Sequence, residues 1–125
     1  MKKKADPAAA NARLGRAWLK AFNAHDVPKL VALYADDCAH TSPKIRTLHP
    51  ETGGKLLGKA ALTEWWADAI RRLPSLQYEA LTVTADSKRV FLEYLRHVDG
   101  EASYPVAEVF DVVKGRIKSS RVYHG

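Results

Sequence analysis

Two side chains in this sequence have the chemistry of a proton-transfer pair, the imidazole of His40 and the carboxyl of Glu108. Each lies in a run of residues typical of a β-strand, where side chains two positions apart share a face. Ser42 therefore shares the face of His40, and Phe110 shares the face of Glu108. If both faces turn inward, an imidazole that titrates near neutral pH lies beside a half-buried carboxyl, and such a pair is a candidate for general acid/base catalysis.

A purely structural role for both residues is the alternative. A buried carboxyl at Glu108 would be satisfied by the indole N–H of Trp18 or the hydroxyl of Tyr94, and His40 would then be a polar part of the wall. The sequence leaves both interpretations open. In either case we expect a pocket whose lining includes Trp18, Phe22, Ser42, Trp65, Tyr94, Phe110 and His124.

Two neighbouring features bear on this pocket. Trp65 and Trp66 lie about 100° apart on a helix, so we expect one in the core and the other in the pocket wall. Lys44, Arg46 and His49 lie in a long connection, where they could contact an anionic substrate. A solvated loop is the favoured interpretation for these three residues.

The sequence predicts neither a metal site nor a cofactor. Cys38 and His40 share a strand face, but zinc sites assemble three or four ligands at recognisable spacing, and no second ligand pair is present. A glycine-rich phosphate-binding loop is also absent. Cys38 is the single cysteine, so it cannot form an internal disulfide; we expect a buried thiol in a reducing compartment.

The first part of the chain has the signals of two successive helices. Residues 7–24 repeat apolar side chains at spacings of three and four, and Asp6 precedes them as a capping residue. Asp26 opens a second, shorter helix in which Tyr34 faces inward and which ends at residues 35–37. Both helices therefore present an apolar face to a core.

A strand and a third helix follow. Residues 38–42 are expected to form a short strand that Pro43 ends, since proline cannot donate to a strand ladder. Residues 43–57 show no periodicity, and connections of that length in a small domain are usually disordered or form a lid. Residues 58–73 have the wide apolar face of a helix, which Pro74 ends.

The last third of the chain changes to a period of two. Gly100 and Gly115 lie at expected hairpin turns, where glycine accepts a positive φ without steric cost. Both faces of the strands carry large apolar residues, and three helices can cover only one face. We therefore expect a homodimer that covers the outer sheet face. The expected strands are residues 76–84, 89–98, 103–113 and 116–123.

Composition excludes several classes of protein. The 125 residues are 46% hydrophobic, which suits a compact domain, and no apolar run is long enough to cross a membrane. The net charge of +6 includes Lys2, Lys3 and Lys4, and the other basic residues form no stripe that would follow a nucleic-acid backbone. The start of the chain has no apolar stretch typical of a secretory signal, so we expect a cytoplasmic protein. We divide the chain into a basic, alanine-rich start at residues 1–12 and a single domain at residues 13–125.

Several segments, in this order, resemble the nuclear transport factor 2-like superfamily, which includes SnoaL-like proteins and ketosteroid isomerase. The resemblance implies an α+β fold, a cystatin-like cone in which three N-terminal helices pack on a curved antiparallel sheet of four main strands plus short strands. It also implies a pocket at the open end of the cone. The segments are residues 22–26, 33–37, 58–62 with 65–66, 108–110, and 115–117 leading to 121–125.

The resemblance predicts the fold better than it predicts a reaction. Ser42 stands where ketosteroid isomerase has its aspartate base, and Trp18 stands where that enzyme has a tyrosine donor. Only the second acid position is kept, as Glu108. The paired acids and arginine of the epoxide-hydrolase branch are not reproduced either, so steroid isomerase and epoxide hydrolase activities are not expected.

The sequence thus leads to two functional hypotheses. The first is a cofactor-independent protein that binds a small, mostly apolar molecule carrying a carbonyl or hydroxyl, and that acts as an isomerase, cyclase or hydrolase through His40 and Glu108. The second is a non-catalytic dimeric module that binds a ligand or another protein. The superfamily implied by the resemblance contains both kinds of protein.

Overall fold

The computed structural model describes residues 6–125, and the basic segment Lys2–Lys4 lies outside the described residues. One curved, mixed sheet is covered on its concave side by helices, which confirms the expected α+β, cystatin-like fold. The order along the chain is α1 (Pro7–Asn23), α2 (Val27–Val31), β1 (Tyr34–Thr41), α3 (Pro43–Leu48), a 3-10 turn (Pro50–Thr52), β2 (Lys55–Leu57), α4 (Lys59–Arg72), β3 (Gln77–Ala85), β4 (Arg89–His97), β5 (Tyr104–Val113) and β6 (Arg116–His124).

The sheet has the strand order β2-β1-β6-β5-β4-β3. Strands β3 to β6 form the expected antiparallel meander, and β1 joins β6 in parallel. Register shifts occur in β3 at Leu81 and in β6 at Lys118, and such bulges bend a strand. The bent sheet surrounds the helices on one side and leaves its other side facing away from them.

Helix α1 begins at the expected capping signal and packs against β3 and β4. The carboxylate of Asp6 accepts a hydrogen bond from the backbone N–H of Ala8 at 3.0 Å. Trp18 and Phe22 are buried on the inner face. At Gly15 the helix approaches the sheet so closely that an added Cβ would lie 2.8 Å from Cγ1 of Val90. Glycine is therefore needed for this distance between the helix and the sheet.

The expected placement of Tyr34 in the second helix is wrong, although its expected burial is confirmed. Helix α2 ends at Val31, and Tyr34 begins β1, where it is fully buried. The residues expected to end that helix belong to the strand instead. Asp36 and Asp37 lie there as exposed side chains that pair with lysines of α4 and β6 respectively. Pairing on either side keeps this segment in the strand, since Tyr34 pairs with Ile117 and Ala39 pairs with Ser119 of β6.

The long connection at residues 43–57 is not the disordered loop that its lack of periodicity allowed. It contains α3, the 3-10 turn and β2. Ser42 caps helix α3 by accepting a hydrogen bond from the backbone N–H of Lys44 at 3.2 Å. Ile45 is fully buried beneath the helix. Strand β2 returns antiparallel to β1. The segment is thus an ordered part of the fold that extends one edge of the sheet.

No helix of residues 6–125 has the length and apolar character that a membrane crossing requires.

Replacement of Gly15 by alanine tests the close approach of α1. We expect Gly15→Ala to lower the free energy of unfolding by about 1–3 kcal/mol, because the new methyl overlaps Val90. Chemical denaturation measures this change. In the background Val90→Ala the same substitution should cost less, and an equal cost in both backgrounds would contradict the proposed contact.

Candidate functional site

A cavity of about 210 Å³ lies between the concave sheet face, α1, α3 and α4. Its walls are mostly aromatic and apolar, with a few polar groups. This composition is typical of small-molecule sites, although the volume is below the roughly 300–1,000 Å³ of sites for drug-sized ligands. The polar and charged lining residues are His40, Ser42, Lys44, Thr47, Arg72, Tyr78, Tyr94, Arg96, Glu108 and His124.

The structure brings most of the sequence-predicted residues to this cavity. His40 and Glu108 both line it, and so do Trp18, Phe22, Ser42, Trp65, Tyr94 and His124. Phe110 does not. Its fully buried ring packs behind the wall, with its centroid 5.3 Å from that of Trp18. Position 110 shares the inward side of β5 with Glu108, but the indole of Trp18 separates it from the open space.

Glu108 is a buried carboxyl with only one satisfied oxygen. The residue is 1% exposed. The Tyr94 hydroxyl donates a hydrogen bond to Oε1 at 2.8 Å, while Oε2 is buried without a partner among the described residues. Burial raises the pKa of Glu108 from 4.5 to about 8, against the opposing effect of the Tyr94 hydrogen bond. At neutral pH the carboxyl is therefore mainly protonated and can donate from Oε2.

His40 is buried and neutral. The residue is 2% exposed, and its Nδ1 lies 2.6 Å from Oγ of Ser120. Burial lowers the pKa of His40 from 6.5 to about 4. The expected titration of this imidazole near neutral pH is therefore absent. Of the two groups, Glu108 has the pKa closer to neutrality.

A chain of hydrogen bonds fixes the tautomer of His40. The indole of Trp18 can only donate, and it donates to the Tyr34 hydroxyl at 3.1 Å. Tyr34 lies 2.9 Å from Oγ of Ser120, which in turn lies 2.6 Å from Nδ1 of His40. Every hydroxyl hydrogen is used if Tyr34 donates to Ser120 and Ser120 donates to Nδ1. The imidazole hydrogen of His40 then sits on Nε2.

His40 and Glu108 thus act as separate groups and not as a hydrogen-bonded pair. No hydrogen bond joins them in the described part of the chain, and each has its own anchor, Ser120 for His40 and Tyr94 for Glu108. Near neutral pH both are uncharged and each carries a hydrogen. The arrangement can donate to an acceptor oxygen of a ligand, and Glu108 can also transfer a proton.

Aromatic rings form one continuous wall of the cavity. The rings of Phe22 and Tyr78 are stacked with centroids 4.0 Å apart, and those of Tyr78 and Tyr94 are 4.1 Å apart. Trp65 and Trp66 both line the cavity from α4, where only one of them was expected. Offset-stacked rings offer flat apolar faces that suit a planar ligand.

Sequence reasoning missed five polar lining residues, namely Lys44, Thr47, Arg72, Tyr78 and Arg96. A signal for Arg96 was present, since it lies two positions after Tyr94 on the same strand and therefore on the same face. Lys44 was assigned to a solvated loop, but helix α3 places it at the cavity. The bulge in β3 makes the inward side of Tyr78 hard to derive from alternation alone.

No group of three or more histidine, cysteine, aspartate or glutamate side chains within residues 6–125 is arranged to hold a metal ion. Cys38 is buried, and burial raises the pKa of its thiol.

The raised pKa of Glu108 predicts a specific dependence of stability on pH. Between pH 4.5 and about 8 the folded protein keeps a proton on Glu108 that the unfolded chain has lost, so stability falls as pH rises. Relative to the variant Glu108→Gln, whose amide can make the same hydrogen bonds, wild type should lose about 1.4 kcal/mol per pH unit in this window.

Denaturation at several pH values measures this difference. The exposed Glu64, on α4 but outside the cavity lining, provides the matched control, and Glu64→Gln should leave the slope of wild type unchanged. A constant difference between wild type and Glu108→Gln from pH 5 to pH 8 would mean that Glu108 ionises normally.

Comparison with known proteins agrees with this architecture. The family model of the SnoaL-like domain matches residues 15–120. A SnoaL-like protein from Burkholderia thailandensis E264 is 28% identical, with a TM-score of 0.84 over 94% of this chain and 95% of the other. No protein with a curated description matches the chain.

Two more distant structures share the fold. A putative ketosteroid isomerase from Kribbella flavida DSM 17836 is 16% identical, with a TM-score of 0.78 over 96% of this chain and 81% of the other. TerC, co-crystallised with polyporic acid, is 18% identical, with a TM-score of 0.79 over 93% of this chain and 92% of the other. The match to the domain model extends over most of the sequence, and the chain therefore belongs to the SnoaL-like family.

Proposed function

We propose that the cavity binds a small, mostly apolar molecule carrying a carbonyl or hydroxyl oxygen, and that Glu108 moves a proton to and from it. The observation that carries this proposal is the partnerless Oε2 of Glu108, which is buried at a cavity that the residue lines. A buried polar atom without a partner is costly, and an acceptor oxygen on a ligand removes that cost. TerC, which has the same fold, was co-crystallised with polyporic acid.

The chemistry proposed for Glu108 needs no cofactor. The protonated carboxyl transfers its hydrogen to the ligand oxygen, and the carboxylate that it leaves takes a proton from a neighbouring carbon of the ligand. The first step moves a proton to oxygen, the second restores protonated Glu108, and a carbonyl compound becomes its enol. If the enol is conjugated with a second double bond, Glu108 then gives its proton to a different carbon, and the resulting carboxylate takes back the proton of the enol oxygen. This restores both the carbonyl and the protonated acid and completes an isomerisation. His40 supplies a hydrogen bond to the ligand from Nε2 and stays neutral throughout.

Deuterium exchange tests proton transfer without knowledge of the natural substrate. The small apolar ketone α-tetralone in heavy water should exchange its α-hydrogens faster with the protein than in buffer. Glu108→Gln should lower the protein-dependent rate by about 10²–10⁴-fold, since an amide cannot shuttle a proton. His40→Gln should lower it by less, about tenfold, because only a hydrogen bond is weakened. Mass spectrometry measures the exchange.

The matched control is Glu64→Gln, which should exchange as wild type does. Calorimetry on Glu108→Gln should show that α-tetralone still binds. Equal exchange by wild type and Glu108→Gln would contradict the catalytic role. If α-tetralone binds but its exchange is not accelerated, the non-catalytic binding module is the correct alternative.

The homodimer is a separate proposal that rests on the outer face of the sheet. Phe91, Val109, Ala107 and Tyr123 lie next to one another there, as the strand register pairs Phe91 with Val109 and Ala107 with Tyr123. Phe91 is 45% exposed and Tyr123 is 54% exposed. Adjacent large apolar side chains on a solvent-facing sheet are typical of an interface, and a twofold axis would let this face cover its own copy.

Sedimentation equilibrium tests the dimer. Wild type should have twice the mass of the chain at micromolar concentration, and Phe91→Glu should reduce this to the mass of one chain, because it places a charge in the centre of the interface. Leu57→Glu provides the control, since Leu57 is also exposed but lies on β2, beyond the meander. A monomeric wild type would contradict the proposal.

A further inference from the structure

The charged residues that line the cavity are nearly all cations. Lys44, Arg72 and Arg96 line it, and within residues 6–125 the only acidic lining residue is Glu108. Since burial keeps Glu108 mainly protonated at neutral pH, no ionised acid in the described part of the chain faces this space. A neutral apolar ligand would form no ion pair with any of these three cations.

Arg96 is the most informative of the three cations because it is buried. Only 8% of its side chain is exposed, yet within residues 6–125 it makes a single side-chain hydrogen bond, from Nη1 to Oε1 of Glu101 at 2.9 Å. The guanidinium lies over the ring of Tyr104, 5.3 Å from its centroid. A guanidinium has five N–H donors in a planar fork, so most of them are free to bind an anion.

Lys44 and Arg72 differ in how their charge is balanced. Arg72 forms an ion pair with Asp68 at 2.8 Å, and the pair of Arg96 with Glu101 cancels a second charge. Lys44 has no ion-pair partner within the described residues. The excess positive charge at the cavity therefore comes from Lys44.

His124 lies close enough to Lys44 and Arg96 for their charges to act on it. It lines the cavity, and its pKa is lowered first by burial and then by the repulsion of Lys44 and Arg96. Two cations from different elements, α3 and β4, thus act on one imidazole of β6. The convergence of these elements makes a positively charged region on one side of the cavity.

We propose that the ligand is an organic anion with a planar apolar body, its carboxylate or similarly acidic group bound by Arg96 and Lys44. This inference rests on the proposed function and specifies its class of ligand. The body lies against the stacked rings of Tyr78 and Tyr94, and a further oxygen accepts from Glu108. The cavity volume of about 210 Å³ limits the ligand to a small molecule of one or two fused rings.

Calorimetry with two matched probes tests the inference. Naphthoate and its neutral amide have the same ring system and differ in charge. We expect naphthoate to bind at least about tenfold more tightly, and its advantage should shrink at about 0.5 M salt, where the charges are screened. Lys44→Gln should reduce the preference about threefold, and Arg96→Gln should reduce it further.

The control variant is Lys55→Gln. Lys55 is an exposed lysine on β2 that does not line the cavity, so its loss should leave the preference unchanged. Lys44 is exposed as well, so its substitution keeps the test valid even if the Arg96 variant does not fold.

The outcomes separate this inference from the proposed function. Equal binding of naphthoate and naphthamide overturns the anionic ligand but leaves a ligand-binding cavity. A preference for naphthoate that survives both Lys44→Gln and Arg96→Gln also overturns it, because the anion is then bound elsewhere. If neither probe binds at about millimolar concentration, the proposed ligand cavity is overturned as well.

Discussion

The burial of the Glu108 carboxyl without a counter-charge is the constraint on which the site depends. Tyr94 satisfies one oxygen, the Trp18 indole donates to Tyr34 instead, and the Arg96 guanidinium is engaged with Glu101. An ionised carboxylate in this position would be desolvated without compensation, so the group holds a proton. The same lack of compensation leaves Oε2 without a partner. Burial of this unpartnered oxygen lowers the stability of the ligand-free protein, and a ligand that forms a hydrogen bond with it removes that cost.

The fold creates this environment through contacts between distant parts of the chain. Gly15 lets α1 approach the sheet, and the aromatic side chains of that helix reach the concave face on which Glu108 lies. The bulges bend β3 and β6 around them. Helix α3 adds a wall and brings Lys44 to the cavity. The cavity therefore has an uncharged part around Glu108 and a positively charged part around Lys44. This arrangement suits a ligand with an apolar body and one negatively charged end.

Local signals in the sequence predicted the elements that local physics determines. The capping residue Asp6 and the apolar periodicity after it predicted α1. The alternation of side chains with a period of two predicted the four-stranded meander. Tyr34 and the segment after Ser42 were mispredicted because pairing with β6 and packing of Ile45 determine their structure. The alternation of side chains along the strands correctly predicted that His40 and Glu108 line one cavity. The hydrogen-bond chain through Ser120 and the opposite pKa shifts depend on neighbours far along the chain, which no local pattern encodes.

The pKa of Glu108 is the most direct test of this account. Carbon-13 NMR of protein labelled at the glutamate side-chain carboxyls follows each group through its titration, and the variant Glu108→Gln identifies the signal that belongs to this residue. The Glu108 signal should titrate with a pKa of about 8. A Glu108 signal that titrates near the ordinary value of 4.5 would contradict it, because the carboxyl would then be ionised in the folded protein.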